Sequence, residues 1–330
     1  MLDQVLAAFD IRPDYDLDVM QPGQGLADLT ARLLPSLADI IRRVDPALTI
    51  VQGDTTTTFC GALAAFYAGV ETAHVEAGLR TFDLRAPFPE EMNRVLTTQL
   101  ARLHFAPTEL SREHLLREGV PERSVELTGN TGIDAALSVR DGLEQGRLTG
   151  IERDFDPRRK LIVVTAHRRE NFGDGLERIC DGIARLSDRD DIEIAWPVHP
   201  NPNIGPVVRR TLGHRANVHL MQPVEYVPFV DLLRRAHLIL TDSGGIQEEA
   251  PSLGKPVLVL REKTERPEAV TAGTVKLVGS DPEALVREAT ILLENDTEYE
   301  RMSHVHNPYG DGKASARIAA RIAKHLGVIR

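Results

Sequence analysis

Cysteine is scarce in this sequence of 330 residues, which contains only Cys60 and Cys180. The two lie far apart, and neither belongs to a C-x-x-C pair. Structural zinc sites and disulfide frameworks need several cysteines at short spacing, so neither is expected here. The histidine patterns H-E-x-x-H and H-x-x-x-H are also absent, and we therefore expect no metal centre.

Basic residues are fewer than acidic ones, 39 against 49, which gives a formal net charge of −10. Such a balance disfavours binding to nucleic acid or to anionic membranes. The longest uncharged run, residues 55–70, includes several threonines and is shorter than the roughly 20 apolar residues that a membrane-spanning helix needs. The opening segment lacks the basic start of a signal peptide. These features predict a soluble, cytoplasmic protein.

Short apolar runs alternate with longer segments of helical periodicity along the chain. Because the runs are apolar on both faces, the pattern is typical of parallel sheets covered by helices. Four predicted strands precede residue 130 and six follow residue 160, which predicts an α/β fold with two doubly wound, Rossmann-like domains. The predicted strands are residues 48–52, 72–77, 102–107, 124–129, 160–166, 192–199, 217–222, 237–242, 256–261 and 274–279.

Ionisable or glycine-rich groups follow five of these strands directly. Ligands of open α/β sheets bind beyond the carboxyl ends of the strands, so five such groups at one kind of position predict a lined cleft. The groups are residues 53–54, 76–78, 167–170, 199–201 and 242–245.

The turn Ser243-Gly244-Gly245 joins a predicted strand to a predicted helix. Its unpaired backbone N–H groups and the helix dipole suit an anion such as a pyrophosphate. Glu249, about one turn later, could accept hydrogen bonds from sugar hydroxyls. The alternative is a helix capped by Ser243 with solvated acids at 248 and 249, and this stretch alone does not decide between them. Neither a Rossmann G-x-G-x-x-G nor a P-loop is present, so no NAD, ATP or other cofactor is expected.

The segment 74–94 is rich in acids. Glu76 ends a predicted buried strand, and an irregular Pro-Phe-Pro loop then brings Glu90 and Glu91 before Arg94. Neighbouring buried carboxylates tend to acquire separated pKa values, which suits acid and base roles. The alternatives are that Glu90 or Glu91 caps the following helix, and that Asp54 caps the helix after the first strand.

His167 follows a very apolar strand and precedes two arginines, Arg168 and Arg169, at an end where ligands are expected. His199 has a comparable but weaker context. The histidines inside predicted strands are assigned no function, and these are His74, His104, His219 and His237.

A series of segments in order resembles the non-hydrolysing UDP-N-acetylglucosamine 2-epimerases. The resemblance rests on VQGDTTTT, HVEAGLR, PEEMNR, TGNTGIDA, HRRENFG, PVHPNPN, TDSGGIQEEAPSLGKPVLVLRE, TERPEAV and HNPYGDG, and it covers essentially the whole chain. It implies a glycosyltransferase-B type of fold with the nucleotide sugar in the interdomain cleft. The implied domains are residues 1–130, joined by a carboxy-terminal helix at 311–330, and residues 131–310 for UDP.

The resemblance also implies the chemistry, in which UDP is eliminated across C1–C2 of the sugar and added back to 2-acetamidoglucal on the opposite face. It implies proton transfer by carboxylates of the amino-terminal half, with Arg94 and His167 supporting the charged transition state; these carboxylates are Asp54, Glu76 and Glu90. The UDP-binding residues would be Phe229 at uracil, Glu249 at ribose, and Ser243, Gly244, Gly245 and Arg266 at the phosphates. A second UDP-N-acetylglucosamine would act as an activator near Arg168, His199 and Glu90, and the protein would be a homodimer.

Two departures from the family pattern accompany the resemblance. Family members begin with a strand ending in Gly-Thr-Arg-Pro-Glu, whereas this chain opens on a predicted helix, so little turnover is expected until the chain is extended upstream. Val224 stands where glutamine is common. The alternatives are a hydrolysing epimerase, a glycosyltransferase of the same fold and an inactive nucleotide-sugar binder.

Overall fold

The computed structural model describes residues 2–329, which form two compact units. The first unit comprises the described residues up to 12 together with 135–308, and the second comprises 13–134 together with 309–329. The opening residues were predicted to belong to the amino-terminal domain; in the structure the described ones group with the first unit. The reason is apolar contact, because Ala8 and Phe9 lie against Val227 and Val230, and the rings of Phe9 and Tyr226 are 6.3 Å apart.

All ten predicted strands are present, and each is bounded within a few residues of its predicted range. The strands are β1 (Thr49–Gln52), β2 (Thr72–Val75), β3 (Leu103–Ala106), β4 (Val125–Leu127), β5 (Lys160–Thr165), β6 (Ile192–Pro197), β7 (Val218–Met221), β8 (Leu238–Thr241), β9 (Val257–Val259) and β10 (Val275–Leu277). The predicted α/β class, with four strands in one sheet and six in the other, is confirmed.

Helices occupy most of the connections between strands. They are α1 (Leu2–Ala8), α2 (Leu26–Val44), α3 (Thr56–Tyr67), α4 (Glu90–Leu100), α5 (Glu109–Arg117), α6 (Thr131–Glu144), α7 (Asp174–Leu186), α8 (Gly205–Leu212), α9 (Tyr226–Arg235), α10 (Gly244–Ser252), α11 (Pro267–Ala272), α12 (Pro282–Glu294), α13 (Asp296–Ser303) and α14 (Ala314–His325). None of the helices within residues 2–329 combines the length and apolar character that a bilayer crossing requires.

The sheet of the first unit is parallel throughout and has the order β10-β9-β8-β5-β6-β7. The strands from β5 to β7 run outward in one direction and those from β8 to β10 in the other, so the order reverses between β5 and β8. At the carboxyl end of this pair, the hydroxyl groups of Thr165 and Thr241 lie 2.6 Å apart. A reversal of this kind leaves a crevice beyond the strands, where ligands bind in open α/β sheets.

One large apolar core holds the first unit together. Leu176, Ile179 and Ile183 recur on one face of α7 and are buried against the sheet, as the 3.6-residue period of an amphipathic helix requires. Trp196 on β6 is completely buried in the same core. A rigid sheet therefore supports the loops at its carboxyl edge.

The sheet of the second unit has the simple order β1-β2-β3-β4, with every pair parallel. Its inner strands β2 and β3 are buried at every position. The carboxy-terminal helix α14 belongs to this unit, since Ile318 packs against Ala73 and Phe105. The Asp134 carboxylate accepts hydrogen bonds from the first backbone N–H groups of α14, at Ala314 and Ser315, and so caps that helix.

Candidate active site

A cavity of about 350 Å³ opens at the carboxyl ends of β5 and β8, at the strand-order reversal of the first unit. Its volume falls within the usual range for small-molecule sites. The lining is mainly apolar or neutral, with two imidazoles and one carboxylate. The lining residues are Thr165, Ala166, His167, Pro197, His199, Pro223, Val224, Tyr226, Phe229, Ser243, Gly245, Ile246 and Glu249.

The Ser243-Gly244-Gly245 turn borders this cavity and begins α10. Ser243 is the residue before the first helical turn, and its side chain makes no capping hydrogen bond. A Cβ atom added to Gly244 would lie 3.5 Å from Arg266 Nη2 and 3.7 Å from Arg168 Nη2. The helix start therefore combines backbone N–H groups with two guanidinium groups, an arrangement suited to a diphosphate.

Neither acid of α10 is fully exposed, and the Ser243 side chain does not cap the helix, which contradicts the alternative of a capped helix with solvated glutamates. Glu248 is buried and forms an ion pair with Arg266. Glu249 lines the cavity, where burial first and the neighbouring Glu248 second raise its pKa to about 7. A carboxyl group at this position can accept hydrogen bonds from ligand hydroxyls or, when protonated, donate one.

Asp242 belongs to the predicted group 242–245 but was assigned no role of its own from the sequence. It is completely buried directly after β8. Its carboxylate accepts hydrogen bonds from the backbone N–H groups of His167 and Arg168 and from the side-chain amide of Asn171. Asp242 thus fixes the loop after β5 to the loop after β8. Its position immediately past a strand was the available signal, but its partners lie more than 70 residues away in sequence.

His167 and His199 stack on each other at the cavity wall. Their ring centroids are 5.4 Å apart and their planes differ by 15°. Burial first lowers the pKa of His167, while Asp242 raises it and Arg168 and His199 lower it further. His199 Nδ1 accepts a hydrogen bond from the backbone N–H of Asn201, which places its own proton on Nε2. Both imidazoles line the cavity at the carboxyl edge of the sheet.

In the second unit, two carboxylates predicted to be catalytic follow adjacent strands. Asp54 follows β1 and Glu76 follows β2, and a Cβ atom added to Gly53 would lie 3.7 Å from Glu76 Oε2. Glu76 has a φ of 62°, which is uncommon for a residue other than glycine and often accompanies function. The alternative role of Asp54 as a helix cap is excluded, since Thr55 is the cap of α3 and accepts from Thr58 N.

The start of α4 supplies the partners of Asp54. Arg94 Nη2 lies 2.7 Å from Asp54 Oδ2, and Arg94 Nη1 lies 3.2 Å from Glu91 Oε2. Arg94 is only 4% exposed, so it acts chiefly on Asp54 rather than on a ligand. Glu90 is half-buried at the first position of α4.

Glu91 does not cap its own helix, contrary to one of the alternatives considered from the sequence. It is completely buried, and its Oε1 accepts hydrogen bonds from the backbone N–H groups of Thr81 and Phe82. Glu91 therefore ties the irregular loop after Glu76 to α4. Its pairing with a turn ten residues upstream left no local signal in the sequence.

The predicted site residues fall into two groups, one in each unit. The cavity of the first unit is lined by His167, His199, Phe229, Ser243, Gly245 and Glu249, with Gly244, Arg168 and Arg266 beside its helix start. The edge of the second unit carries Asp54, Glu76, Glu90 and Arg94.

Known proteins of one family match this chain over nearly its whole length. A family model described as UDP-N-acetylglucosamine 2-epimerase matches residues 1–323. The UDP-N-acetylglucosamine 2-epimerase of Escherichia coli strain K12 is 56% identical over 96% of this chain and 86% of its own length. A probable UDP-N-acetylglucosamine 2-epimerase of Ralstonia solanacearum is 56% identical over 99% of this chain and 88% of its own. Among solved structures, UDP-GlcNAc 2-epimerase from Neisseria meningitidis bound to UDP-GlcNAc matches with a TM-score of 0.90 and 47% identity, covering 98% of this chain and 88% of that one.

Proposed function

The chain belongs to the UDP-N-acetylglucosamine 2-epimerase family, and we propose that it interconverts UDP-N-acetylglucosamine and UDP-N-acetylmannosamine without releasing free sugar. The observation that carries the proposal is the cavity at the strand-order reversal. Glu249 lines this cavity, and the α10 start with its two neighbouring arginines borders it, so that the space suits a nucleoside diphosphate. The fold is of the glycosyltransferase-B type expected from the sequence. The resemblance to the Neisseria enzyme bound to UDP-GlcNAc supports this ligand.

The chemistry must avoid direct deprotonation at C2, because no carbonyl group adjoins that carbon to stabilise a carbanion. We propose that a carboxylate accepts the C2 proton while the C1–O bond to UDP breaks, which forms a C1=C2 double bond. A carboxyl group then donates a proton to C2 from the opposite face, and a phosphate oxygen of UDP bonds again to C1. No oxidant or cofactor is needed, because the two steps balance in protons and electrons.

The first unit would hold the leaving group. The N–H groups at Ser243–Gly245 and the guanidinium groups of Arg266 and Arg168 are suited to stabilise the charge that develops on the diphosphate as the C1–O bond breaks. Glu249 would bind the ribose hydroxyls and Phe229 would contact uracil. Val224 also lines the cavity, so the loss of a glutamine there leaves an apolar wall.

The second unit would supply the proton-transfer groups, Asp54, Glu76 and Glu90. Arg94 fixes the Asp54 carboxylate through a 2.7 Å contact, and a well-placed acid or base contributes roughly 100-fold to 10,000-fold to the rate. His167 would support the charged transition state from the first unit.

Three finer features belong to the same proposal. A second UDP-N-acetylglucosamine would act as an activator through Arg168, His199 and Glu90, and the working protein would be a homodimer. Cys60 and Cys180 are both buried and free, which agrees with a reducing compartment, so we assign the protein to the cytoplasm.

The test is an NMR assay of the protein with UDP-N-acetylglucosamine in D₂O and no acceptor. The proposal expects UDP-N-acetylmannosamine, with deuterium from solvent at C2 of the sugar. Free N-acetylmannosamine with UDP would instead identify a hydrolysing enzyme. Turnover only after an acceptor is added would identify a glycosyltransferase, and either result would reject the proposal.

A further inference from the structure

The turn that carries Asp54 is held at two consecutive carbonyl groups by side chains from other elements. His74 Nε2 lies 2.7 Å from the carbonyl oxygen of Gly53. Asn93 Nδ2 donates to the carbonyl oxygen of Asp54 over 2.9 Å. His74 comes from β2 and Asn93 from α4, and their side chains are 0% and 2% exposed.

The chemistry of His74 makes it a dedicated donor. A carbonyl oxygen only accepts hydrogen bonds, so Nε2 must carry the ring proton. Burial is the main cause that lowers the pKa of His74 to about 4, with the hydrogen bond to Gly53 raising it and His104, Arg80 and Arg94 lowering it. The ring is therefore neutral at physiological pH, and Nδ1 has no hydrogen-bond partner. Burying an imidazole with one unpaired nitrogen costs desolvation free energy. This cost indicates that the hydrogen bond from Nε2 to Gly53 has a specific role.

The His74 contact also ties the two candidate catalytic carboxylates together. Gly53 has a φ of 71°, and Glu76, two residues after His74, has a φ of 62°. Glycine adopts such a φ readily, but at Glu76 this backbone conformation persists only where the surroundings hold it. The hydrogen bond from His74 to Gly53 joins the end of β2, which leads to Glu76, to the end of β1, which leads to Asp54.

The Asp54 side chain is 30% exposed, whereas the residues that hold its turn are buried. The protein thus uses two buried side chains to hold two adjacent peptide groups beneath an accessible carboxylate. Fixed geometry is the gain, because a displacement of about 1 Å at a catalytic group can reduce the rate about 100-fold.

We propose that His74 and Asn93 are positioning residues that fix the Asp54 carboxylate, and through β2 the Glu76 carboxylate, for proton transfer. This inference rests on the proposed function only in the role that it gives to the two carboxylates. Neither side chain contacts the substrate in this scheme; each acts through the turn that it holds.

His104 offers a matched control. It is paired with His74 in the sheet, lies on β3 and is 2% exposed. Burial lowers its pKa to about 4 as well, but its hydrogen bond is to the backbone of Ala101 and not to the Asp54 turn. His104→Leu therefore measures the general cost of removing a buried imidazole from this sheet.

The experiment compares His74→Leu, His74→Gln, Asn93→Asp and His104→Leu with the parent protein. We expect kcat to fall about 100-fold in His74→Leu and Asn93→Asp, with KM and the UDP dissociation constant within about threefold of the parent. Glutamine keeps an N–H donor at a similar reach, so His74→Gln should recover at least about tenfold of the loss. Equal loss of kcat in His74→Leu and His104→Leu would overturn the inference.

Amide hydrogen exchange supplies a readout that does not depend on turnover. Exchange at residues 53–55 should accelerate in His74→Leu and Asn93→Asp and remain unchanged in His104→Leu. If the parent protein does not epimerise the sugar, the proposed function fails, and unchanged exchange at the turn would separately reject the positioning role. If His74→Leu does not fold, kcat of His74→Gln is compared with kcat of the isosteric Asn93→Asp. A smaller loss in His74→Gln supports the inference, and equal losses overturn it.

Discussion

The carboxyl edges of the two sheets are built on different principles. The first unit has a cavity at a strand-order reversal, and its main polar devices are a helix start and two guanidinium groups. The second unit has four strands in sequential order, and its edge consists of carboxylates held by buried polar side chains. The backbone donors of the first unit suit a fixed anion, whereas the carboxylates of the second suit the movement of protons.

The difference extends to how each edge obtains its geometry. The Ser243-Gly244-Gly245 turn follows from neighbouring residues, because a strand end and two glycines are enough to expose the backbone N–H groups of α10. The Asp54 turn depends on Asn93 and Arg94, which lie 39 and 40 residues away in sequence. The turn proposed to bind the ligand is therefore formed locally, whereas a network of residues distant in sequence arranges the groups proposed for catalysis.

The strongest test of this comparison is Asp54→Asn, which removes a carboxylate proposed for proton transfer from the second unit without changing the shape of the side chain. Because Asn cannot accept the proton, we expect kcat to fall about 1,000-fold. The UDP dissociation constant, measured by calorimetry, should stay within about threefold, because the residues proposed to bind UDP lie in the first unit.

Asp39→Asn is the control for this substitution. Asp39 lies in the same unit and also pairs with arginine, but its side chain is 52% exposed on α2. A surface ion pair of this kind contributes little to the free energy of unfolding. Its loss should therefore leave the fold and kcat unchanged. A large loss of UDP affinity in Asp54→Asn would contradict the assignment of UDP binding to the first unit and of proton transfer to the second.

The sequence predicted the framework well because its signal is local. Runs such as residues 160–166 are apolar on both faces, and this pattern distinguishes a buried parallel strand from its surroundings. The same logic located the Ser243 turn and the carboxylates at 54 and 76, since each follows a strand. The described residues up to 12 group with the first unit, and the sequence did not indicate this, because the packing of Phe9 on Tyr226 depends on residues more than 200 positions apart.

The supporting residues could not be predicted, because their roles depend on tertiary contacts. Asp242 looks like any acid after a strand until its contacts with the 167–171 loop are known. Glu91 was a plausible helix cap, yet it binds the turn at Thr81 and Phe82. His74 lay inside a strand and was assigned no function. In each case hydrogen-bond geometry, and not residue type, carries the information.

A smaller effect should follow from Gly244→Ala, which tests the ligand-binding edge. The added methyl group would face Arg266 and Arg168 at ordinary contact distance, so the fold should tolerate it. It would, however, occupy space between the helix start and the two guanidinium groups. We expect UDP to bind about tenfold more weakly, which corresponds to roughly 1.4 kcal/mol.

Gly175→Ala, near the start of α7, is the matched control, since its added Cβ would meet nothing closer than 3.7 Å. Calorimetry with UDP should give the parent affinity for this variant. If Gly244→Ala also binds UDP with the parent affinity, the α10 start does not contact the diphosphate. The anion-binding role proposed for the first unit would then be rejected.

The smallest expected effect concerns the pH dependence of stability at Glu249. Burial raises the pKa of this carboxyl group from an ordinary value of 4.5 to about 7. Between these values the folded protein retains a proton that the unfolded chain has lost. The stabilising contribution is therefore complete below pH 4.5 and disappears as the pH rises through 7. Glu249→Gln cannot titrate, so its melting temperature relative to the parent should increase by about 2 to 4 °C between pH 5 and pH 8.

Glu300→Gln, an exposed substitution on α13 in the same unit, should show no such trend. Thermal unfolding of the ligand-free protein at several pH values gives both comparisons in one experiment. A pH-independent difference for Glu249→Gln would mean that its carboxyl group titrates as if in water, and that the cavity wall at this position is open to solvent. In that case the contrast between the two sheet edges would fail, because both edges would carry carboxylates that are exposed to solvent.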